Sequence, residues 1–291
     1  MASGPITATT AAVHIDEIWS PELNRAVELD IVIAALFEDK SAMMRHGDIM
    51  HLPSRHNLTA NTKVAGTDLT AEVITETDQT FTVSTHQGIA QTLEDYAAIQ
   101  SRYDLRAEIT MAGAYSLARA MDVAGGNLFD DNTTQSVGTL GSELTFDNLL
   151  SGRTYLRNSA AKGQLCMVVP PATYSGLLKI DQFANSLYNG DTKGMAVRDA
   201  QVGKIFKATV YESQLCPGTT PQAYGHLWAK GHFFKVIQRK PTTHTWYSPL
   251  ALSWVVSMDQ LYGMFERQEA DEAAAVTTTA RLWGVRLSCV K

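Results

Sequence analysis

Residues 92–126, TLEDYAAIQSRYDLRAEITMAGAYSLARAMDVAGG, decide the fold because they predict one long helix. Thr92 and Asp95 have the spacing of a capping box, and Gly125-Gly126 offers the left-handed residue that commonly ends a helix. No proline interrupts the stretch, and Gly113 is its one earlier glycine. At about 1.5 Å per residue the helix would be roughly 45 to 50 Å long. This length exceeds what a compact domain usually needs, so we expect a strut.

The predicted helix is apolar on two sides. Placed at about 100° per residue, one stripe consists of Tyr96, Ile99, Tyr103, Ala107, Met111, Ala114, Leu117, Ala118 and Met121. A weaker strip lies nearly opposite and consists of Ala98, Leu105, Ile109 and Ala112. Such a helix must be covered on both sides, either by its own core or by a second copy of the chain. The residues alone leave both possibilities open.

Length and composition are those of a folded protein with no obvious nucleic-acid-binding surface. The 291 residues can form one large domain or two ordinary ones. The formal net charge is −6 and no basic block occurs, so binding of nucleic acid has little electrostatic support. The longest apolar runs, 31–37 and 250–256, are too short to cross a membrane, and residues 1–13 lack the apolar core of a signal peptide.

The N-terminal segment predicts a flexible arm followed by a helix. Residues 1–13 are small and polar. A helix is predicted over residues 19–40 because Ser20, Pro21 and Glu22 supply a hydroxyl cap, a proline at the first helical position and an acid in the first turn.

Residues 45–88 predict a long excursion that has almost no core of its own. A Gly47-Asp48 turn leads into a strand over 49–52, which Pro53 marks as an edge strand or as ending there. After a polar stretch the chain returns along an alternating strand at 80–85. Since an isolated two-stranded hairpin is marginal in water, the excursion is either a disordered surface loop or an arm held by a neighbouring subunit. The strands at both ends favour the arm.

The rest of the chain mixes helices and strands. In order, the predictions are a helix over 145–161, a strand over 164–169, a helix over 172–180, a strand pair over 203–213, a strand through 233–237, a strand over 246–258, a short helix around 261–265 and a closing strand over 280–290. This order defines an α+β fold.

The sequence lacks the common enzyme motifs for which we searched. It lacks G-x-x-x-x-G-K-[ST], G-x-G-x-x-G and G-x-S-x-G. Three widely spaced cysteines, Cys166, Cys216 and Cys289, predict reduced thiols in a cytosolic setting.

The histidines do not match a metal-binding pattern. His46, His51 and His56 recur every five residues, which fits neither one helix face nor one strand face, so we expect exposed polar residues. A second group near Cys216 matches no known zinc spacing and predicts core or surface histidines. This group consists of His226, His232 and His244.

The remaining notable side chains have structural interpretations. Asp122 and Glu108 on the long helix are expected to make surface pairs or to cap nearby amides. The tryptophans are expected to anchor the core or an interface, namely Trp228, Trp246, Trp254 and Trp283. We therefore predict no catalytic residue, no cofactor and no metal site.

Five short motifs occur in a fixed order along nearly the whole chain. They are Ile18-Trp19-Ser20 before a helix, Gly47-Asp48-Ile49-x-x-Leu52-Pro53, Ala118-x-x-Met121-Asp122, Val168-Val169-Pro170, and Gly203-x-Ile205 running on to Val210-x-x-Ser213-x-x-Cys216-Pro217. In this order and spacing they resemble the major capsid proteins of tailed bacteriophages. One departure is Lys207, where related chains often carry glycine.

The resemblance implies the α+β Hong Kong 97 capsid fold and a structural role. The chain would self-assemble into pentamers and hexamers of an icosahedral shell that encloses double-stranded DNA. The implied division is an N-terminal arm and helix over 1–44, an extended loop and peripheral strand over 45–90, a spine helix of the peripheral domain over 91–142, an axial domain over 143–249, and closing strands of the peripheral domain over 250–291.

The resemblance also implies which residues meet neighbouring subunits. The candidate assembly residues are Trp19, Arg45, Asp48, Arg55, Lys63, Asp68, Glu72, Leu105 and Ile109. Some relatives cross-link a loop lysine to a C-terminal asparagine. Lys63 could be the loop partner, but no asparagine follows Asn189, so we predict no such linkage.

The implied partners are copies of the chain, a separate scaffolding protein and a portal, with a decoration protein as a further candidate. A separate scaffold is expected because 18 residues precede Trp19, which leaves little room for an internal one. The implied location is the virion, after assembly in the host cytoplasm. DNA would be contained and not read, since an acidic lining lets the polymer slide.

Three alternatives stay open at this point. A bacterial encapsulin has the same fold and encloses enzymes instead of DNA. A soluble α+β enzyme would need a pocket with convergent titratable groups. A tail or decoration protein would form rings or tubes.

Overall fold

We analysed a computed structural model of the chain, in which the structure describes residues 28–55, 60–69, 71, 73, 76–101, 103–131, 135–159, 161, 163–180, 204–267, 269–270, 279–280 and 283–291. The helices are α1 (Ile33–Leu36), α2 (Asp95–Gln100), α3 (Leu105–Asp131), α4 (Phe146–Asn158) and α5 (Pro171–Leu177), with a 3₁₀ turn at Ser41–Met43. The strands are β1 (Glu38–Asp39), β2 (Ile49–Arg55), β3 (Glu76–Thr82), β4 (Thr85–Glu94), β5 (Ser136–Gly138), β6 (Leu165–Val169), β7 (Lys204–Ile205), β8 (Ala208–Glu212), β9 (Gln222–Ala229), β10 (Phe233–Ser248), β11 (Ser253–Glu266), β12 (Glu269–Ala270), β13 (Thr279–Ala280) and β14 (Gly284–Val290).

Two large sheets organise the described part of the chain. One has four strands in the order β1-β10-β11-β4, and the other has six in the order β5-β14-β9-β6-β8-β7. β2 pairs with β3 and β12 pairs with β13 in separate two-stranded sheets. β10 therefore lies in the four-stranded sheet and β14 in the six-stranded one, whereas the sequence-based division places β10 in the axial segment and β14 among the peripheral strands.

The six-stranded sheet has its own hydrophobic core. Helices α4 and α5 cover it with Leu149, Leu156 and Leu177, which are buried together with Met167 and Leu227. The hydroxyl of Thr145 accepts a hydrogen bond from the Asn148 backbone amide at 3.3 Å and caps α4. The helices predicted over 145–161 and 172–180 and the strand predicted over 164–169 are thus confirmed, with shorter bounds.

The predicted single helix over 92–126 is wrong at both ends. Thr92 lies in β4, which pairs with β11 as far as Glu94 opposite Ser253, so backbone pairing overrides the capping-box pattern. The short α2 ends at Gln100, and a separate helix, α3, begins at Leu105. The Asp104 carboxylate then accepts a hydrogen bond from the Ala107 amide at 3.1 Å and caps α3.

Gly125 and Gly126 lie inside α3 and do not end it. A Cβ on Gly125 would lie 3.2 Å from Cγ2 of Ile33, and one on Gly126 would lie 2.9 Å from the backbone oxygen of Leu215. The glycine pair therefore lets two other segments approach the helix closely. Interpreting it as a helix C-cap was wrong.

We expect Gly126→Ala to destabilise the fold by about 1 to 3 kcal/mol, because the new methyl group would meet backbone that cannot rotate away. Gly152→Ala in α4 is the matched control. Its methyl group would sit at 3.6 Å from Leu227, Val137 and Val285, an ordinary contact. Since alanine favours helix over glycine, this variant is expected to gain up to about 1 kcal/mol. Urea unfolding measures both, and equal shifts of the same sign would contradict the packing explanation.

The helix predicted over 19–40 is only partly observed. Residues 19–27 lie outside the described part, and within 28–40 only α1 is helical. The Asp122 carboxylate, buried in α3, accepts hydrogen bonds from the Ala34 amide at 2.6 Å and the Val32 amide at 3.1 Å. The expectation that Asp122 caps nearby amides is confirmed, and the amides belong to a distant segment.

The short helix predicted around 261–265 is wrong, because these residues continue β11. Tyr262 pairs with Ile237 of β10 on one side and with Thr85 of β4 on the other. A central strand buries both faces, so it has a continuous apolar run that resembles a buried helix in sequence.

The strand pair predicted over 203–213 is confirmed as β7 and β8, joined by a two-residue turn. Phe206 and Lys207 both have positive φ, at 50° and 71°. Turns of this mirror-image type favour glycine at such positions because a Cβ is strained there. Lys207 therefore keeps the strand geometry at an energetic cost.

The substitution Lys207→Gly is expected to stabilise the fold by about 0.5 to 1 kcal/mol, since relief of the left-handed strain exceeds the entropy that glycine adds to the unfolded chain. Lys207→Ala retains a Cβ and serves as the control, with little change expected. The urea midpoint reports both. If the Lys207→Gly variant were no more stable than the Lys207→Ala variant, strain at this turn would be ruled out.

Candidate assembly surfaces

The first candidate surface is the hairpin of β2 and β3, here called the arm. Its register runs from Ile49 opposite Thr82 to Arg55 opposite Glu76. The base of the arm enters a core, where the ring of Phe81 meets that of Phe234 edge-on at 4.9 Å. The excursion predicted from the sequence is therefore an ordered hairpin at its two ends.

Beyond its base the arm has little cover from the rest of the described chain. β12 lies beside β2. All described residues of 60–73 are exposed, including Val64, Leu69 and Val73, the last with 84% of its surface accessible. Exposed apolar side chains on a two-stranded hairpin are typical of a segment that gains its partner from another molecule.

The second candidate surface, here called the tip patch, lies where β10 and β11 end beside α2. It consists of Tyr96, Ile99, Trp246, Tyr247, Leu250, Leu252 and Trp254. Their exposed fractions run from 37% for Tyr247 to 83% for Ile99 and full exposure for Leu250. Seven exposed large apolar side chains in these two adjoining segments exceed the scattered exposure of an ordinary surface. Tyr247 and its cross-strand partner Trp254 share one face of the β10–β11 ends, and Trp246 lies on the other face.

Hydrogen bonds hold the tip patch together. The hydroxyl of Tyr247 donates to the Asp95 carboxylate at 2.8 Å, and the Asp95 amide donates to the Leu252 carbonyl at 3.1 Å. The hydrogen bond to Asp95 raises the pKa of Tyr247 above its ordinary value. The Arg106 guanidinium lies 5.6 Å from the centre of the Trp254 ring. The patch is therefore a preformed surface.

The apolar stripe predicted on the long helix is buried in one part and exposed in another. Leu117 and Met121 are buried against β11, but Tyr96, Ile99 and Met111 are exposed. The sequence identified Trp246 and Trp254 as core or interface anchors, and both are half-exposed in the tip patch.

The nine candidate assembly residues occupy several places. Trp19 and Glu72 lie outside the described residues, as does the side chain of Arg55. Four residues on or next to the arm are exposed, namely Arg45, Asp48, Lys63 and Asp68. Leu105 and Ile109 are half-buried near the start of α3. Their contact with neighbouring subunits stays a prediction.

A charged network ties β4, β10 and β11 together next to an irregularity in their pairing. The Asp259 carboxylate lies 3.0 Å from Nε2 of His86 and 3.1 Å from Nη1 of Arg239, and it accepts a hydrogen bond from Thr242 at 2.9 Å. Hydrogen bonding from His86 is the main cause that lowers the pKa of Asp259. His244 is exposed at the edge of this network, 3.7 Å from Asp259.

The other histidines divide into two groups. His46 and His51 are exposed as predicted, and Nδ1 of His51 lies 2.5 Å from the Asp78 carboxylate across the arm. His56 lies outside the described residues. His226 and His232 are completely buried, so the prediction of core histidines is confirmed for these two and that of a surface histidine for His244.

The thiols and one open cleft complete the description of the surfaces and interior. All three cysteines are free, and burial raises the pKa of each thiol, which disfavours the reactive thiolate. An open cleft between β4 and α3 is lined by residues 86–89 together with Ser116, Leu117 and Ala120, and His86 is the titratable side chain among these described lining residues. Among the described residues, no helix is both long enough and apolar enough to span a membrane.

Similar chains of known structure come from phages. One from Mycobacterium phage Che8 is 20% identical, with a TM-score of 0.79 over 94% of this chain and 96% of that one. The capsid structure of cyanophage P-SCSP1u matches at 12% identity and a TM-score of 0.76, over 96% and 93% of the two chains. The mature capsid of bacteriophage PhiM1 matches at 15% identity and a TM-score of 0.73, over 98% of each. No protein-family model and no curated protein sequence matches this chain.

The matches define the class of fold. The chain has the α+β fold of phage capsid subunits, and it has this fold over essentially its whole length. The Hong Kong 97-type capsid fold that the sequence motifs imply is confirmed at the level of the whole fold.

Proposed function

We propose that the chain is the major capsid protein of a tailed bacteriophage, whose copies assemble into pentamers and hexamers of a closed icosahedral shell. A single observation carries this proposal. On a capsid-type fold, the arm and the tip patch both expose apolar surface that the described part of the same chain does not cover.

Burial of that surface supplies the energy of assembly. Each large apolar side chain removed from water contributes about 1.5 to 3 kcal/mol before the costs of association are subtracted. The arm and the tip patch are different surfaces, so copies meet head-to-tail. Such interfaces close into rings when the rotation between copies allows it.

The conformation of Leu252 supports a binding role for the tip patch. Its φ is 45°, a left-handed value that costs a non-glycine residue about 1 to 2 kcal/mol, yet 65% of its surface is exposed. An exposed side chain that is kept despite local strain is typical of a functional surface.

Leu252→Gly is expected to make the isolated subunit more stable by about 0.5 to 1 kcal/mol and to weaken assembly, since strain and contact are lost together. Urea unfolding of the subunit and light scattering of the assembly reaction measure the two effects. A variant that assembles at the wild-type concentration would show that Leu252 makes no intersubunit contact.

The two sheets support a proposed division of domain roles. We assign the axial role, around the five-fold and six-fold axes, to the six-stranded sheet with α4 and α5, and the peripheral role to the four-stranded sheet with α3. Arg45, Asp48, Arg55, Lys63, Asp68 and Glu72 would then make polar contacts along the arm. Trp19, Leu105 and Ile109 would pack against a neighbouring subunit.

The partners in our proposal are a scaffolding protein, a portal and, as a further candidate, a decoration protein. The shell would enclose DNA without binding it tightly, in keeping with the net charge of −6. An encapsulin is the competing function. Shells purified from their native source decide between the two, since nuclease-protected DNA supports the phage capsid and enclosed protein cargo supports the encapsulin.

Electron microscopy of the expressed chain, with sedimentation of the same sample, tests the proposal. We expect capsomers with five and six copies, or closed shells when a scaffold is supplied. Tubes or stacked rings would support a tail protein instead. A monomer that stays monomeric at high concentration would contradict assembly altogether.

A further inference from the structure

Two imidazoles and one carboxylate meet in the interior where the two large sheets adjoin. His226 belongs to β9 of the six-stranded sheet, His232 to the turn that links β9 to β10, and Glu266 to the end of β11 in the four-stranded sheet. Both imidazoles are completely buried, and 4% of the Glu266 side chain is accessible. Burying three titratable groups is costly unless they are hydrogen-bonded or bind an ion.

The potential ligand atoms converge. One nitrogen of each imidazole and one oxygen of the carboxylate all lie within 4.8 Å of one another. Nε2 of His232 is 3.0 Å from Oε1 of Glu266. Atoms that bind one zinc ion are roughly 3 to 4 Å apart, because zinc bonds to nitrogen and oxygen are about 2.1 Å long. Small side-chain rotations would bring all three onto one ion.

Gly284 shows that both rings face the same point. A Cβ at this position would lie within 3 Å of Nε2 of His226 and also of Nε2 of His232. The two ring planes are nearly parallel, at 15°, with their centres 6.1 Å apart. Glycine on β14 thus leaves room where the two nitrogens converge.

The second nitrogen of His226 has the partner typical of a metal ligand. Its Nδ1 lies 3.4 Å from the carbonyl oxygen of Phe129 at the end of α3. When Nδ1 carries the proton and donates to this carbonyl, Nε2 has a lone pair for an ion. Metal-binding histidines in proteins commonly have such a backbone or carboxylate partner.

We propose that His226, His232 and Glu266 bind a divalent transition-metal ion of the zinc type. Imidazole and carboxylate are ligands that suit Zn²⁺, and three protein ligands leave a fourth position for water. The ion would link β9, the β9–β10 turn and β11, and so would fasten the two sheets to each other. The sequence shows no zinc spacing because Glu266 is far along the chain from the two histidines, and His244, the third histidine of that group, lies elsewhere.

The first test uses the full chain and Zn²⁺ alone. The chain is stripped with a chelator, incubated with micromolar ZnCl₂, passed through a desalting column and analysed for metal. We expect about one zinc per chain and a higher melting temperature than the stripped sample. Cobalt(II) in place of zinc is expected to give the intense visible absorption of a four-coordinate site. A wild-type chain that retains no zinc and shows no cobalt band overturns the proposal.

The variants distinguish this site from adventitious surface binding. Glu266→Gln removes the anionic ligand with little change in shape and is expected to weaken zinc binding at least tenfold. His244→Gln, on the exposed network around Asp259, is the matched control and should bind as the wild type does. Equal loss in both variants would assign the zinc to the surface. If Glu266→Gln does not fold, the cobalt spectra of the wild type and of His244→Gln are compared. An equal visible band in both supports the buried site, and loss of the band in His244→Gln assigns the metal to the surface.

Discussion

The double substitution Ile99→Glu and Leu250→Glu is expected to abolish shell formation and to leave folded subunits in solution. Both side chains lie in the tip patch and are among its most exposed members, at 83% and full exposure. Because neither packs in the subunit core, the substitutions should not disturb the fold. In an assembled shell, each glutamate would place an unpaired charge in an apolar contact, at a cost of several kcal/mol per site.

The effect is multiplied because every copy of the subunit repeats the contact. Sedimentation velocity and electron microscopy measure the loss of capsomers, and circular dichroism verifies that the subunits are folded. Ile99→Met with Leu250→Met is the matched control, since it retains apolar surface and is expected to assemble. Shells of the glutamate variant with normal size and yield would show that the tip patch is not an assembly contact.

The second large effect is expected for Asp122→Ala, which should destabilise the subunit by about 2 to 4 kcal/mol. The carboxylate is inaccessible to solvent and accepts from two amides, those of Val32 and Ala34. Its removal leaves the buried amide of Ala34 and the part-buried amide of Val32 without their acceptor. Asp122→Asn retains one acceptor oxygen and is expected to lose about half as much.

Asp130→Ala provides the matched control on the same helix. Its carboxylate pairs with Nη1 of Arg286 at 3.1 Å but is 49% exposed, so its loss should cost less than about 1 kcal/mol. Urea unfolding in the Ile99→Glu, Leu250→Glu background keeps assembly from adding to the apparent stability. Similar losses for the two aspartates would contradict a special role for Asp122.

The sequence predicted the elements whose signals are local. The strand that enters the excursion at 49–52 and the helix over 145–161 both depend on residues within a few positions of one another. The structure confirms each of them. The motif order also predicted the fold class, because it samples nearly the whole chain.

The errors arise where distant segments override a local pattern. Thr92 and Asp95 satisfy a capping box, but β11 extends the strand through Thr92 as far as Glu94. Gly125-Gly126 resembles a helix end, but these glycines lie inside α3 because Ile33 and the backbone of Leu215 pack too close to the helix to leave room for a Cβ. These distant contacts, of β11 with Thr92 and of Ile33 and Leu215 with the glycine pair, cannot be identified from the local sequence.

The candidate surfaces were predicted in part. The lack of core residues in 45–88 correctly indicated a segment whose described middle part, within 60–73, is exposed, and contact of this arm with a neighbouring subunit stays a prediction. The tip patch was missed as a unit because α2 and the β10–β11 turn are distant in the chain, and only folding brings the Asp95 amide to the Leu252 carbonyl. The convergence of His226, His232 and Glu266 was missed for the same reason.

Cryo-electron microscopy of assembled particles tests most directly whether copies of this chain cover one another's exposed surface. We predict a map in which the arm of each subunit lies across an adjacent subunit and Leu250 is buried between copies. A map in which the arm folds back onto its own subunit and Leu250 faces solvent would contradict the account.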